Sequence, residues 1–126
     1  MKLKLLITAL CFVTTSGFAA ELATRVGLTL EVAKQISAAA EEKAKKNKWT
    51  VAIAIVDEGG HLIHLAKIDN TQYGSVDVAI QKAQTSAAFK RPTKVFEEAI
   101  VGGRNAIIAL KGALPLEGGL PIIHDG

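Results

Sequence analysis

Beyond the first twenty residues the sequence contains no cysteine; the only one is Cys11. A chain without it has no disulfide, no thiolate nucleophile and no thiolate metal ligand. Other absences narrow the function further. There is no glycine-lysine-serine or -threonine segment at a helix start, which excludes a phosphate loop. There is no serine elbow and no supported carboxylate pair, which leaves the usual ester and glycoside chemistries without their residues. No basic cluster is interleaved with aromatics, so nothing argues for nucleic acid as a partner.

The longest apolar run at the N-terminus, Leu5–Val13, is too short to span a bilayer, which takes about 20 residues. It has instead the parts of a secretory signal: Lys2 and Lys4, the apolar run, then Gly17-Phe18-Ala19 before the cut. Leu10 before Cys11 does not suit a lipoprotein signal. Cleavage after Ala19 leaves residues 20–126 as one small domain. The formal charge then falls from +3 to +1, because two lysines and no acid are lost. The expected location is periplasmic or secreted, with no membrane contact after cleavage.

The mature part opens with a helix. Thr29 is its N-cap, Glu31 sits in the first turn, and Lys43, Lys45, Lys46 and Lys48 crowd the end. Val32, Ala33, Ile36, Ala40 and Ala44 make its apolar stripe, and Asn47 is expected to take a left-handed cap. Next, "TVAIAIV" and "HLIHLAKI" flank "DEGG". This is a β-hairpin whose first strand is apolar on both faces.

The hairpin carries His61 and His64. Simple alternation sends them to opposite faces, so they do not form a chelating pair. His61 is expected to be exposed. His64 is either a core or interface histidine or an axial ligand in an apolar pocket.

A second helix follows "DNTQYGS", with Ser75 as its cap and Val76, Ala79, Ile80, Ala83, Ala87 and Ala88 as its stripe. Lys82 falls beside that stripe. Either its stem snorkels along the core edge or it anchors a carboxylate at a pocket rim. Pro92 breaks the helix, Thr93 starts a third, and Gly102-Gly103 ends it. "AIIAL" is a short strand or a helical turn. "PIIHDG" reads as a strand entering a hairpin turn with no return strand, which suggests a truncated or frame-shifted product.

Four blocks in order, "VAIAIVDEGGHLIHLAKID", "AIQKAQTSAAF", "RPT" and "LEGGLPI", resemble the GlcG/HbpS-like haem-binding family. The resemblance implies an α/β (α+β) fold, a single antiparallel sheet of about five strands with helices packed against it. It also implies assembly into homo-oligomers. Members of the family continue past the "DG" turn with a glycine-rich strand and a final helix, which this sequence lacks.

The function so implied is haem sequestration or sensing. His64 or Tyr73 would be the axial (metal) ligand, Lys82 and Arg91 the cations for the propionates, and Thr85 a hydrogen-bonding residue of the site. Two alternatives stand beside it. One is a non-catalytic oligomeric scaffold. The other is an accessory enzyme on a small organic acid such as glycolate, with Asp57, Lys82 and Thr85 as its polar constellation.

Overall fold

The computed structural model describes residues 23–124. The expected signal segment and the final "DG" lie outside the described residues. Five regular elements and one 3-10 turn follow in order. They are α1 (Leu30–Lys46), β1 (Ala52–Val56), β2 (Leu62–Lys67), α2 (Ser75–Phe89), α3 (Lys94–Val101) and the 3-10 turn Asn105–Ala109. Helices packed on an antiparallel sheet make this an α+β fold, as expected. Among the described residues the sheet has two strands, β1 and β2, where the resemblance implies about five. "AIIAL" lies in the 3-10 turn, and residues 121–123 form no strand.

α1 begins where the sequence places it. The Thr29 hydroxyl accepts the Val32 N–H at 3.3 Å, and Glu31 lies at the positive end of the helix dipole. The buried stripe is Ala33, Ser37 and Ala44, with Ile36 and Ala40 half-buried. Val32, expected inside, is exposed. Ser37 takes a place in the stripe because its hydroxyl donates to Glu41 Oε1 at 3.1 Å, so its burial leaves no polar group unpaired.

The helix ends in a double hydrogen bond. Lys48 N–H donates to Lys45 O at 3.1 Å and Trp49 N–H to Ala44 O at 2.9 Å. That pair is a Schellman motif, which needs a left-handed residue just after the cap. The residue is Lys48, with φ 55°. Asn47, expected in that role, has φ −92°; its side-chain amide instead donates to Lys43 O at 2.8 Å. Lys90 at the end of α2 is likewise left-handed, φ 51°.

β1 and β2 pair antiparallel, with Ile53 opposite Ala66, Ala54 opposite Leu65 and Ile55 opposite His64. The next pair is Val56 with Leu62, so Ile63 is an extra residue, a bulge on β2. Both helices α1 and α2 pack on β1, and α1 also packs on β2. Ile55 is the buried residue of β1. The outer edges of both strands are unpaired within the two-stranded sheet.

α2 starts at Ser75 itself. The expected Ser75 cap gives way to Gly74 in a helical conformation, with no side-chain cap bond. The predicted stripe residues Val76, Ala79, Ile80, Ala83 and Ala87 are half-buried, and Ala88 is exposed. The fully buried side chains of the helix are polar, Thr85 and Ser86. Phe89 and Phe96 meet edge to face with centroids 5.2 Å apart, joining α2 to α3.

The apolar core is thin: Ala33, Ala44, Ile55, Phe96 and Ile107. Many large apolar side chains remain exposed, among them Trp49, Val101, Ile108, Leu120 and Ile123. No helix among the described residues is long and apolar enough to cross a membrane.

A lysine at a left-handed position costs energy that a glycine does not. Lys48→Gly is expected to stabilise the fold by about 0.5–1 kcal/mol, read as a raised urea midpoint with an unchanged slope.

Candidate functional site

The best-built polar structure joins α2 and α3 to the chain that follows the 3-10 turn. Thr85 is fully buried. Its hydroxyl donates to Gln81 O at 2.8 Å, lies 3.4 Å from Gly112 O, and accepts the Leu114 N–H at 2.8 Å. Thr93, also fully buried, grips Gly119 from both sides. Its N–H donates to Gly119 O at 3.0 Å, and its hydroxyl accepts the Gly119 N–H at 2.9 Å. Ser86 donates to Arg91 O at 2.9 Å and fixes the bend between the helices.

Two hydroxyls therefore tie residues 112–119 down. Thr85, expected to bond a ligand, is committed to this backbone. Thr93 is the member of this tie that sequence reading passed over. Its signal was the "RPT" block, where the threonine reads as a helix start.

The tie explains the double glycine. A Cβ on Gly119 would collide with the Lys82 carbonyl oxygen and stand 2.7 Å from Thr93 Cγ2. Gly118 has φ +124°, which only glycine adopts without strain. The Lys82 stem lies over it, with Nζ 3.4 Å and Cδ 3.5 Å from where a Cβ would sit. Lys82 itself is half-buried.

The histidines lie elsewhere, at the hairpin. Asp57 Oδ1 accepts the Gly59 N–H at 2.9 Å and the His61 N–H at 2.8 Å, and its other oxygen is 3.2 Å from His61 Nδ1. These bonds favour the ionised carboxylate. The His61 backbone N–H foremost holds Asp57 below the usual carboxylate range, against a partial desolvation that acts the other way. Gly60, φ +83°, closes the turn, and Gln84 on α2 donates to its carbonyl at 3.1 Å.

The bulge alters the face argument. Leu62 pairs with Val56, so it no longer shares a face with His64, and the alternation that separated His61 from His64 does not pass unbroken through Ile63. What separates the two histidines is the turn: His61 is held by Asp57 and its side chain is 84% exposed. No group of three or more potential metal-binding side chains occurs among the described residues.

His64 is half-buried on the same face as its partner Ile55. Its ring has no hydrogen bond to any described residue. Tyr73 is 93% exposed, with the Lys67 ammonium 5.9 Å from its ring centre. Lys67 is three residues from His64 on an unbroken stretch of strand, so it points to the opposite face. That contact does not bring the two candidate axial ligands together. Arg91 is exposed, donates through Nε to Phe89 O at 3.1 Å, and lies 5.9 Å over the Phe96 ring. No hydrogen bond or ion pair joins Asp57, Lys82 and Thr85, so the constellation expected for an organic-acid enzyme is not assembled.

Two clefts flank α2 and α3. One, about 420 Å³, is lined by Lys94, Glu97, Glu98, Val101, Gly102 and Glu117. Lys94 is 3.1 Å from Glu117, and the Glu117 hydrogen bond chiefly raises its pKa. The other, about 200 Å³, lies between Gln81, Gln84, Thr85 and residues 112–114. Neither includes His64 or Tyr73.

Residues 28–126 match the model of a family described as "Haem degrading protein HbpS-like". The chain belongs to the HbpS-like family. Protein GlcG of Escherichia coli K12 is 40% identical over 103 residues, which cover 82% of this chain and 77% of GlcG. The solved structure of HbpS superposes with a TM-score of 0.73 at 30% identity, covering 82% of this chain and 73% of HbpS. Klebsiella pneumoniae protein ORFY superposes at 0.74 with 26% identity, covering 84% and 77%.

Within this HbpS-like chain, His64 suits a haem iron in kind: an imidazole on an apolar strand face whose ring makes no hydrogen bond among the described residues. The clefts do not suit the macrocycle. The larger is lined mostly by ionisable groups, and the smaller falls short of the usual ligand-pocket range, about 300–1,000 Å³.

Thr85→Val and Thr93→Val keep side-chain volume but strand a backbone N–H. Each is expected to cost about 1–3 kcal/mol, whereas the serine variants stay near the parent; chemical denaturation reads both. The Asp57 shift predicts a pH dependence. A carboxyl held below its unfolded value contributes stability at neutral pH and loses it as pH falls through the folded value. Asp57→Asn should flatten the acid limb of the thermal-stability profile below the usual carboxylate range.

Proposed function

We propose that the chain is an exported haem-binding protein, cleaved after Ala19, that sequesters or senses haem. The observation that carries this reading is His64, half-buried and without a hydrogen-bond partner among the described residues, in a chain of a family described by haem. Bound haem supplies an iron that takes an axial nitrogen or oxygen donor. His64 is the donor of first choice, and Tyr73 is the second. Lys82 and Arg91 are the cations for the propionates. Thr85 acts behind the site, by holding residues 112–114 against α2.

A second reading, self-association, draws on the exposed Trp49, Val101, Ile108, Leu120 and Ile123. The two readings fit together. A haem face left open on one chain is closed by a second copy, which would supply the apolar wall that the clefts lack.

Haemin titration of residues 20–126, followed by absorbance and on a sizing column, tests both readings. A saturable Soret shift that His64→Ala weakens by about tenfold or more is expected, together with elution as an oligomer. Binding retained in His64→Ala and lost in Tyr73→Ala would move the axial role to Tyr73. A folded chain that gives no Soret shift would end the haem reading.

A further inference from the structure

The charges around the α3 cleft are unequally shared. Lys94, exposed, has Glu117 at 3.1 Å and two more carboxylates, Glu97 and Glu98, nearby. Glu117 N–H donates to Glu97 as well. Lys82 lies over the residue next to Glu117, is half-buried, and has no ion pair or hydrogen bond through its ammonium among the described residues. The acid on the adjoining turn, Glu117, is thus paired with Lys94. An ammonium without a counter-charge gains a charge-assisted hydrogen bond from an anion that reaches it.

The surroundings fix the base of the Lys82 side chain. The Lys82 backbone is packed against Gly119, and Gly119 is gripped by Thr93. The stem of Lys82 crosses Gly118, whose φ of +124° and missing side chain leave that path open. The Gly118 N–H has no acceptor among the described residues. An ammonium close to an exposed turn whose Gly118 N–H has no protein acceptor among the described residues offers one charge-assisted and one neutral hydrogen bond, which suits the two oxygens of a carboxylate.

We propose that Lys82 and the Gly118-Gly119 turn form a niche for a single carboxylate, whether free on a small organic acid or carried as a haem propionate. The niche shares Lys82 with the haem reading but requires neither iron nor porphyrin.

The test uses isotope-labelled residues 20–126 titrated with sodium acetate against matched sodium chloride, with the amide spectrum recorded. Saturable shifts at Gly118 and Gly119 are expected, and Lys82→Met and Lys82→Gln should each weaken them by about tenfold or more. Parallel titrations use haemin and haemin dimethyl ester. If acetate does not bind but the Lys82 variants weaken haemin and leave the ester unchanged, the niche stands and its carboxylate is a propionate. If acetate binds and neither porphyrin does, the niche stands and the haem reading falls. Acetate shifts located away from Gly118-Gly119, or no dependence of either ligand on Lys82, would overturn the proposal. If both neutral variants fail to fold, the parent chain decides: haemin shifts at Gly118 and Gly119 that the dimethyl ester does not reproduce support the niche, and equal shifts with both porphyrins, together with no acetate shift there, overturn it.

Discussion

Gly119 lies so close to α2 that no side chain fits between them, and most of the arrangement beyond the hairpin depends on that approach. Thr93 supplies both a donor and an acceptor to Gly119, and Thr85 on α2 accepts the Leu114 N–H while donating to Gln81 O. In a core this thin, apolar burial alone supplies little. Buried hydroxyls with every bond satisfied take over the task of fixing one geometry. They set the position of Lys82, which is why a lysine close to the stripe of α2 is better described as placed than as tolerated.

The regular elements were legible because periodicity and caps write them locally. Thr29, Glu31 and the lysine-rich end delimit α1; "DEGG" between two apolar runs marks the hairpin; Pro92 and Gly102 bracket α3. What was not legible depends on partners distant in sequence. Nothing in "QKAQTS" says that Thr85 will meet Leu114, and nothing in "RPT" says that Thr93 will meet Gly119. The left-handed residue fell one position beyond Asn47 because the hydrogen-bond register of the helix end, not residue preference, selects it. The stripe runs through the buried Ala33, Ser37 and Ala44 and the half-buried Ala40, and Val32 falls outside it, while Glu41 satisfies the buried Ser37 hydroxyl.

The candidate site was legible in its parts and not in its grouping. His64, Tyr73, Lys82, Thr85 and Arg91 do not converge on one cavity. His64 belongs to the sheet, Tyr73 to the loop before α2 and Arg91 to the bend after it, while Thr85 is turned inward. Asp57, Lys82 and Thr85 are likewise joined by no hydrogen bond or ion pair among the described residues.

The bulge at Ile63 has a consequence for how this hairpin can change over time. One extra residue on β2 turns everything before it by half a pleat relative to everything after it. A deletion of Ile63 would therefore leave Leu62 paired with Val56 and His64 paired with Ile55, and restore simple alternation from Leu62 to Lys67. The hairpin can thus gain or lose its bulge by a change of length alone, without altering the pairing on either side of it.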